Sequence, residues 1–149
     1  MQSLVVESSA SRVPLWLWAA AAFGVMWNVY GLYQFVGSFT QSGQAAMTAS
    51  MTASQAAVYL SLPGWISVVF GIGVSGGLLG SFLLLLRRNA ARPVFVVSFI
   101  GYALLFAGDT YYGVFAAIPA QLAILAVVVL IASALLWVSW LAGKRGLLR

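Results

Sequence analysis

The sequence predicts an all-α fold, a four-helix transmembrane bundle with N and C termini cytoplasmic. Three observations carry that expectation. The chain of 149 residues is 63% hydrophobic and only 6% charged, whereas a soluble domain usually carries about 25% charged residues. Four long apolar runs begin at Pro14, Pro63, Pro93 and Pro119, which are all four prolines of the chain. Proline suits the first turn of a helix because its missing N–H would be unpaired there anyway. Finally, all seven basic residues (Arg12, Arg87, Arg88, Arg92, Lys144, Arg145, Arg149) precede the first run, link the second to the third, or follow the fourth. An even number of spans with basic residues on alternate connections places both ends on the cytoplasmic side.

The elements follow in order. Residues 1–13 are polar (Gln2, Ser3, Glu7, Ser8, Ser9, Ser11, Arg12) and read as a cytoplasmic tail. The first run, 14–39, exceeds the 7–15 apolar residues of a signal peptide and reads as an uncleaved span. Residues 40–62 form the one sizeable outer loop. It holds a tandem repeat, Met47-Thr-Ala-Ser then Met51-Thr-Ala-Ser. Thr52 and Gln55 fit a capping box, which predicts a short surface helix through Ala56, Ala57, Val58, Tyr59 and Leu60. The second run, 63–86, stops at Arg87-Arg88. The third covers 93–113 and the fourth 119–141, joined by a link so short that they must be antiparallel neighbours. Residues 143–149 form a basic tail, leaving 14–142 as a single membrane domain. Each run has 20 or more residues, enough for a ~30 Å hydrocarbon core at ~1.5 Å per residue. Trp16, Trp18, Trp137 and Trp140 fall toward the cytoplasmic interface, and Tyr59, Trp65, Tyr111 and Tyr112 toward the outer one, where amphipathic rings belong.

Composition excludes much chemistry. The chain has no Cys and no His, so thiolate nucleophiles, disulfides, haem-ligating His and Cys/His zinc sites are excluded. The only acids are Glu7 and Asp109, too few for a calcium cage or a paired-carboxylate site. No metal, cofactor or enzymatic activity is expected. The net charge of +5 sits at helix ends, where it orients the chain and meets anionic head groups, so nucleic acid is not expected as a partner.

The second run contains Gly71-Ile-Gly73-Val-Ser75-Gly76-Gly77-Leu-Leu-Gly80-Ser81. A dinucleotide fingerprint would need a preceding strand, and a hydrolase elbow at Ser75 would need a His. The steric reading is the useful one. Gly73/Gly77 and Gly76/Gly80 are overlapping small-residue pairs that let a second helix backbone approach closely. The first run offers a matching stripe, Gly24, Asn28 and Gly31; another protomer is the alternative partner.

Polar residues within spans are the functional candidates. Asn28, Tyr30 and Gln34 lie on the first run and Asp109 on the third. Tyr30 and Asp109 both fall about 24 Å from the start of their spans at ~1.5 Å per residue, so a polar cluster of these four in the outer half is expected. The competing reading makes Asn28 interhelical glue and Asp109 a boundary residue. Arg87, Arg88 and Arg92 flank the cytoplasmic turn as topology anchors, with lipid head-group binding as their further role.

Several blocks resemble a group of small bacterial four-helix membrane proteins loosely labelled sugar transporters. They are Trp27-Asn28-x-x-Gly31, Pro63-Gly-Trp65, Gly76-Gly77-x-x-Gly80-Ser81 running to Leu83–Leu86 and Arg87, Pro93-Val-Phe95-x-x-Ser98, and Leu136-Trp137 through Arg145-Gly146-Leu-Leu-Arg149. The resemblance implies a bacterial inner-membrane protein of the solute-transport class. Relatives carry an acid where this chain has Gln34, which weakens an expectation of ion coupling at that position. The functional expectation is small-solute transport or permeation, in a homo-oligomer or a larger membrane complex within the lipid bilayer. The alternative is a non-catalytic accessory subunit docking through Gly73, Gly76, Gly77 and Gly80.

Overall fold

The computed structural model describes residues 12–149; residues 1–11 of the expected tail, including Glu7, lie outside the described residues. The described chain is helical, with no strand. Its elements are α1 (Leu15–Gly37), α2 (Gln41–Thr48), α3 (Ala53–Leu60), α4 (Gly64–Leu85), α5 (Ala91–Tyr111), α6 (Val114–Ala117) and α7 (Pro119–Lys144). Four of them, α1, α4, α5 and α7, are long and apolar enough to cross a membrane.

The outward surface fits that assignment. Leu15, Met26, Val68 and Leu130 are each at least 60% exposed, an arrangement suited to lipid and adverse in water. Burial is confined to the seams. Helix α4 packs against both α1 and α5, α5 packs against α7, and α1 meets α7 more sparsely. Two apolar clusters result. Leu17, Leu84, Phe95 and Leu135 anchor one, and Ile66, Val74, Tyr102 and Leu125 anchor the other.

The prolines act slightly differently from expectation. Pro14 and Pro63 are N-caps and Pro119 is the first helical residue. Helix α5 starts at Ala91, two residues before Pro93. Proline at that third position is still within the first turn, where no intrahelical N–H bond is lost.

The segment between α1 and α4 holds two helices where one was expected. The capping box of α3 is present: Thr52 Oγ1 accepts from Gln55 N–H at 3.3 Å, and Thr52 N–H donates to Gln55 Oε1 at 3.0 Å. Helix α2 is the addition, capped by Thr40, whose Oγ1 accepts from Gly43 N–H at 3.1 Å. The tandem repeat serves two unlike positions. Thr48 ends α2 and donates back to Gln44 O, while Thr52 starts α3.

The far end of the bundle is also tighter than a free tail. Helix α7 runs on to Lys144 and closes in a Schellman motif, with Gly146 at φ +66, Gly146 N–H on Gly143 O and Leu147 N–H on Ala142 O. Leu147 and Leu148 are buried. Arg149 N–H donates to Arg87 O at 2.6 Å, and Asn89 N–H donates to Arg149 O at 2.8 Å. The expected basic tail is therefore docked against the turn between α4 and α5.

Candidate functional site

The glycine face of α4 is consumed within the chain. Helical geometry at about 100° per residue places Gly80 and Gly76 some 20° and 60° to one side of Gly73, and Gly77 about 40° to the other. The contacts divide accordingly. A Cβ at Gly73, Gly76 or Gly80 would meet Tyr102, Ser98 or Phe95 of α5, whereas one at Gly77 would meet the Asn28 amide of α1. The Gly73/Gly77 pair thus straddles a junction between two neighbours, while Gly76/Gly80 faces α5 alone. The closest approach is α4 to α5, where a Cβ on Gly101 would lie 2.9 Å from Gly73 N and Val69 O. A docking face for another protein built on these four glycines is corrected on this ground: α1 and α5 already cover it.

The expected cluster of Asn28, Tyr30, Gln34 and Asp109 is not assembled. Asn28 is 2% exposed at the centre of the bundle. Its Nδ2 donates to Gly24 O at 2.8 Å, and its Oδ1 accepts from the Tyr102 hydroxyl at 3.4 Å. Ser98 Oγ donates across to Gly73 O at 2.6 Å in the same layer. Tyr30 is 58% exposed and faces outward. Two residues on a helix differ by about 200°, so Tyr30 cannot share the face of Asn28. Gln34 lies beside a shallow groove of about 120 Å³ with Tyr33, Gly37, Gly43, Ala46 and Met47. Asn28 therefore serves as interhelical glue, the competing expectation. Tyr102, its partner, was not foreseen, although it shares the buried face of α5 with Ser98, Leu105 and Asp109.

The central cavity between the spans is about 10 Å³, lined by Asn28, Tyr102 and Ser98 among apolar neighbours. That is room for at most one water. This cavity admits no solute larger than water.

Asp109 stands apart, two residues before the end of α5, and is 2% exposed. Its Oδ1 has no hydrogen-bond partner. The Gln121 amide of α7 lies beside the carboxylate. Tyr59 of α3 is close enough to feel its charge. Burial and, secondarily, the Asp109 charge raise the Tyr59 phenol above its ordinary 10.0. The Tyr59 hydroxyl donates weakly to Met47 Sδ at 3.8 Å. Helix α3 is pinned over this region by Gln55, whose Nε2 donates to Ala117 O of α6 at 2.9 Å. Trp65 of α4 donates Nε1–H to Tyr112 Oη at 3.3 Å nearby. Tyr59, Gln121 and Gln55 were outside the expected site. The capping box did place Tyr59 on a surface helix, but nothing in the sequence brings that helix over Asp109.

The basic residues gather at the opposite end. Lys144 Nζ lies 3.9 Å from the Trp140 ring centroid and the Arg145 guanidinium 5.7 Å from that of Trp16. The Arg92 side chain lies along Gly143. Arg87 has a structural task beyond a lipid anchor. It sits at φ +55 in the position where a Schellman turn usually has glycine, and its Nε donates to Leu147 O at 2.8 Å. Arg88 is exposed.

Comparison with known protein families, with curated proteins and with solved structures returned no match.

Proposed function

We propose that this is a non-enzymatic inner-membrane protein of bacterial type that handles a small polar solute or ion, with its polar chemistry at the end of the bundle remote from the basic residues. By the positive-inside rule the basic end is cytoplasmic, so the Asp109 end faces outward. The observation that carries this reading is Asp109 itself, a carboxylate buried at the end of a span with an oxygen left unpaired. Such residues in membrane helices mark solute and ion pathways by default. Asn28 and Tyr102 hold the spans together around a cavity with room for at most one water, which leaves Asp109 as the candidate for solute contact. The resemblance to the loosely labelled sugar transporters points to the same class, and Asp109 supplies an ionisable group that Gln34 does not.

The test is purification of the parent and Asp109→Asn in nanodiscs, with mass spectrometry of the intact assembly. The reading expects a monomer or homo-oligomer that retains a small molecule, and loss of that molecule from the variant. A hetero-complex retaining no small molecule, or equal retention by the variant, overturns it; the first of these results would point to an accessory subunit.

A further inference from the structure

We infer that Asp109 is the centre of a site for one monovalent cation, the proton included, taken up from the outer face beneath α3. The inference rests on the proposed solute-handling role and names its ligand class. Asp109 is the only acid among the described residues, and its Oδ1 is unpaired while the residue is 2% exposed. A buried carboxylate with an unpaired oxygen and no countercharge beside it is costly, and a cation or a proton removes that cost.

Among the described residues no countercharge stands beside it. From α3, Tyr59 is close enough to feel the carboxylate's charge, and its raised phenol remains neutral at ordinary pH. From α7 the neighbour is the neutral Gln121 amide. From α4, Trp65 spends its N–H on Tyr112 at the end of α5. On α5 itself, the Thr110 hydroxyl donates back to Phe106 O. Arg92, near the start of α5, is 17 positions away in sequence, about 25 Å at ~1.5 Å per residue. The other basic residues lie at that same remote end.

The hard oxygens at hand are those of the carboxylate; the Gln121 amide lies beside it, and the Tyr59 phenol, held by a long bond to Met47, lies within reach of its charge. One carboxylate matches one unit charge. A calcium ion would seek six to eight oxygens, usually from several carboxylates. Sodium and the proton share the required chemistry, and the experiment separates them.

The assay treats nanodisc-held protein with dicyclohexylcarbodiimide across mildly acidic to alkaline pH, with sodium chloride or choline chloride present. The carboxyl proton passes to a carbodiimide nitrogen, the carboxylate oxygen adds to the central carbon, and acyl transfer to nitrogen leaves an N-acylurea of the summed mass. Peptide mass spectrometry reads Asp109, with Glu7 as the internal reference and Asp109→Asn as the blank. The expected result is labelling at Asp109 whose dependence on pH or on sodium differs from that of labelling at Glu7. Protection by sodium but not choline assigns the metal cation as competitor; equal labelling in both salts assigns the proton. Infrared difference spectra provide the second readout, as a carboxyl carbonyl band that responds to pH or sodium and is missing from Asp109→Asn. Labelling that tracks Glu7 in both salts, or unlabelled Asp109 with no such band, overturns the inference. Titration at Asp109 in a protein that moves no charge would overturn transport and leave the cation site standing.

Discussion

Replacing Gly77 with alanine inserts a methyl group where the Asn28 amide sits. Its Cβ would lie 2.7 Å from Asn28 Cγ and 2.9 Å from Nδ2, so the amide must turn away. That breaks the bonds to Gly24 O and from Tyr102. Only the Tyr102 bond crosses helices, and such bonds in membranes average about 0.6 kcal/mol; overpacking a tight core adds ~1–3 kcal/mol. A loss of about 2 kcal/mol is expected, roughly thirtyfold in the unfolding constant. Asn28→Ala alone should lose about 1–2 kcal/mol through the same bonds and the space left behind. In the double variant the new methyl occupies the vacated space, so the combined loss should fall about 2 kcal/mol short of the sum. Gly64→Ala, with nothing within 4 Å of its Cβ, is the control and should change stability little. Equilibrium unfolding of the four variants in mixed micelles measures all of this. Strict additivity of Gly77→Ala and Asn28→Ala would refute the contact as the reason for glycine at 77.

Three further outcomes are expected. Arg87→Ala keeps the φ +55 strain and loses the bond to Leu147 O, whereas Arg87→Gly relieves the strain; hydrogen exchange at Leu147–Arg149 should rise more for alanine, by about 1 kcal/mol of protection. Thr52→Ala removes the cap of α3 at a cost of about 1 kcal/mol, and Gln55→Ala keeps that cap but removes the reciprocal half of the capping box and the tether to Ala117 O, so exchange in α3 should rise in both. The Tyr59 phenol is harder to ionise in the folded chain than unfolded, so its contribution to stability is complete below about pH 10 and is lost as pH rises through the folded value. Alkaline difference absorbance should show the phenol of residue 59 ionising earlier in Asp109→Asn, with burial keeping it above free tyrosine.

Much of the architecture was legible because a bilayer leaves few options. Long apolar runs with prolines in their first turns and basic residues on alternate connections specify spans almost directly. The Thr52/Gln55 box was also readable, since reciprocal capping is local. Helix α2 was not, because Thr40 is a single cap before a polar segment with no apolar stripe. The polar cluster failed for a reason already present in the numbering: depth along a span was counted but angle around it was not, and Asn28, Tyr30 and Gln34 point in different directions. The docking of Leu147 and Leu148 left a faint signal in the Gly146-Leu-Leu pattern of a Schellman close. The approach of Tyr59 and Gln121 to Asp109 depends on tertiary folding of the outer segment and has no local signature.

Charge displacement on a solid-supported membrane tests the proposed Asp109 site most directly. Proteoliposomes of the parent and of Asp109→Asn, matched for protein content, receive steps in pH and in sodium. The parent should give transient currents on at least one of the two steps, and Asp109→Asn none. Currents of equal size in both proteins, or none in either, would contradict the site as the place where this protein handles its solute.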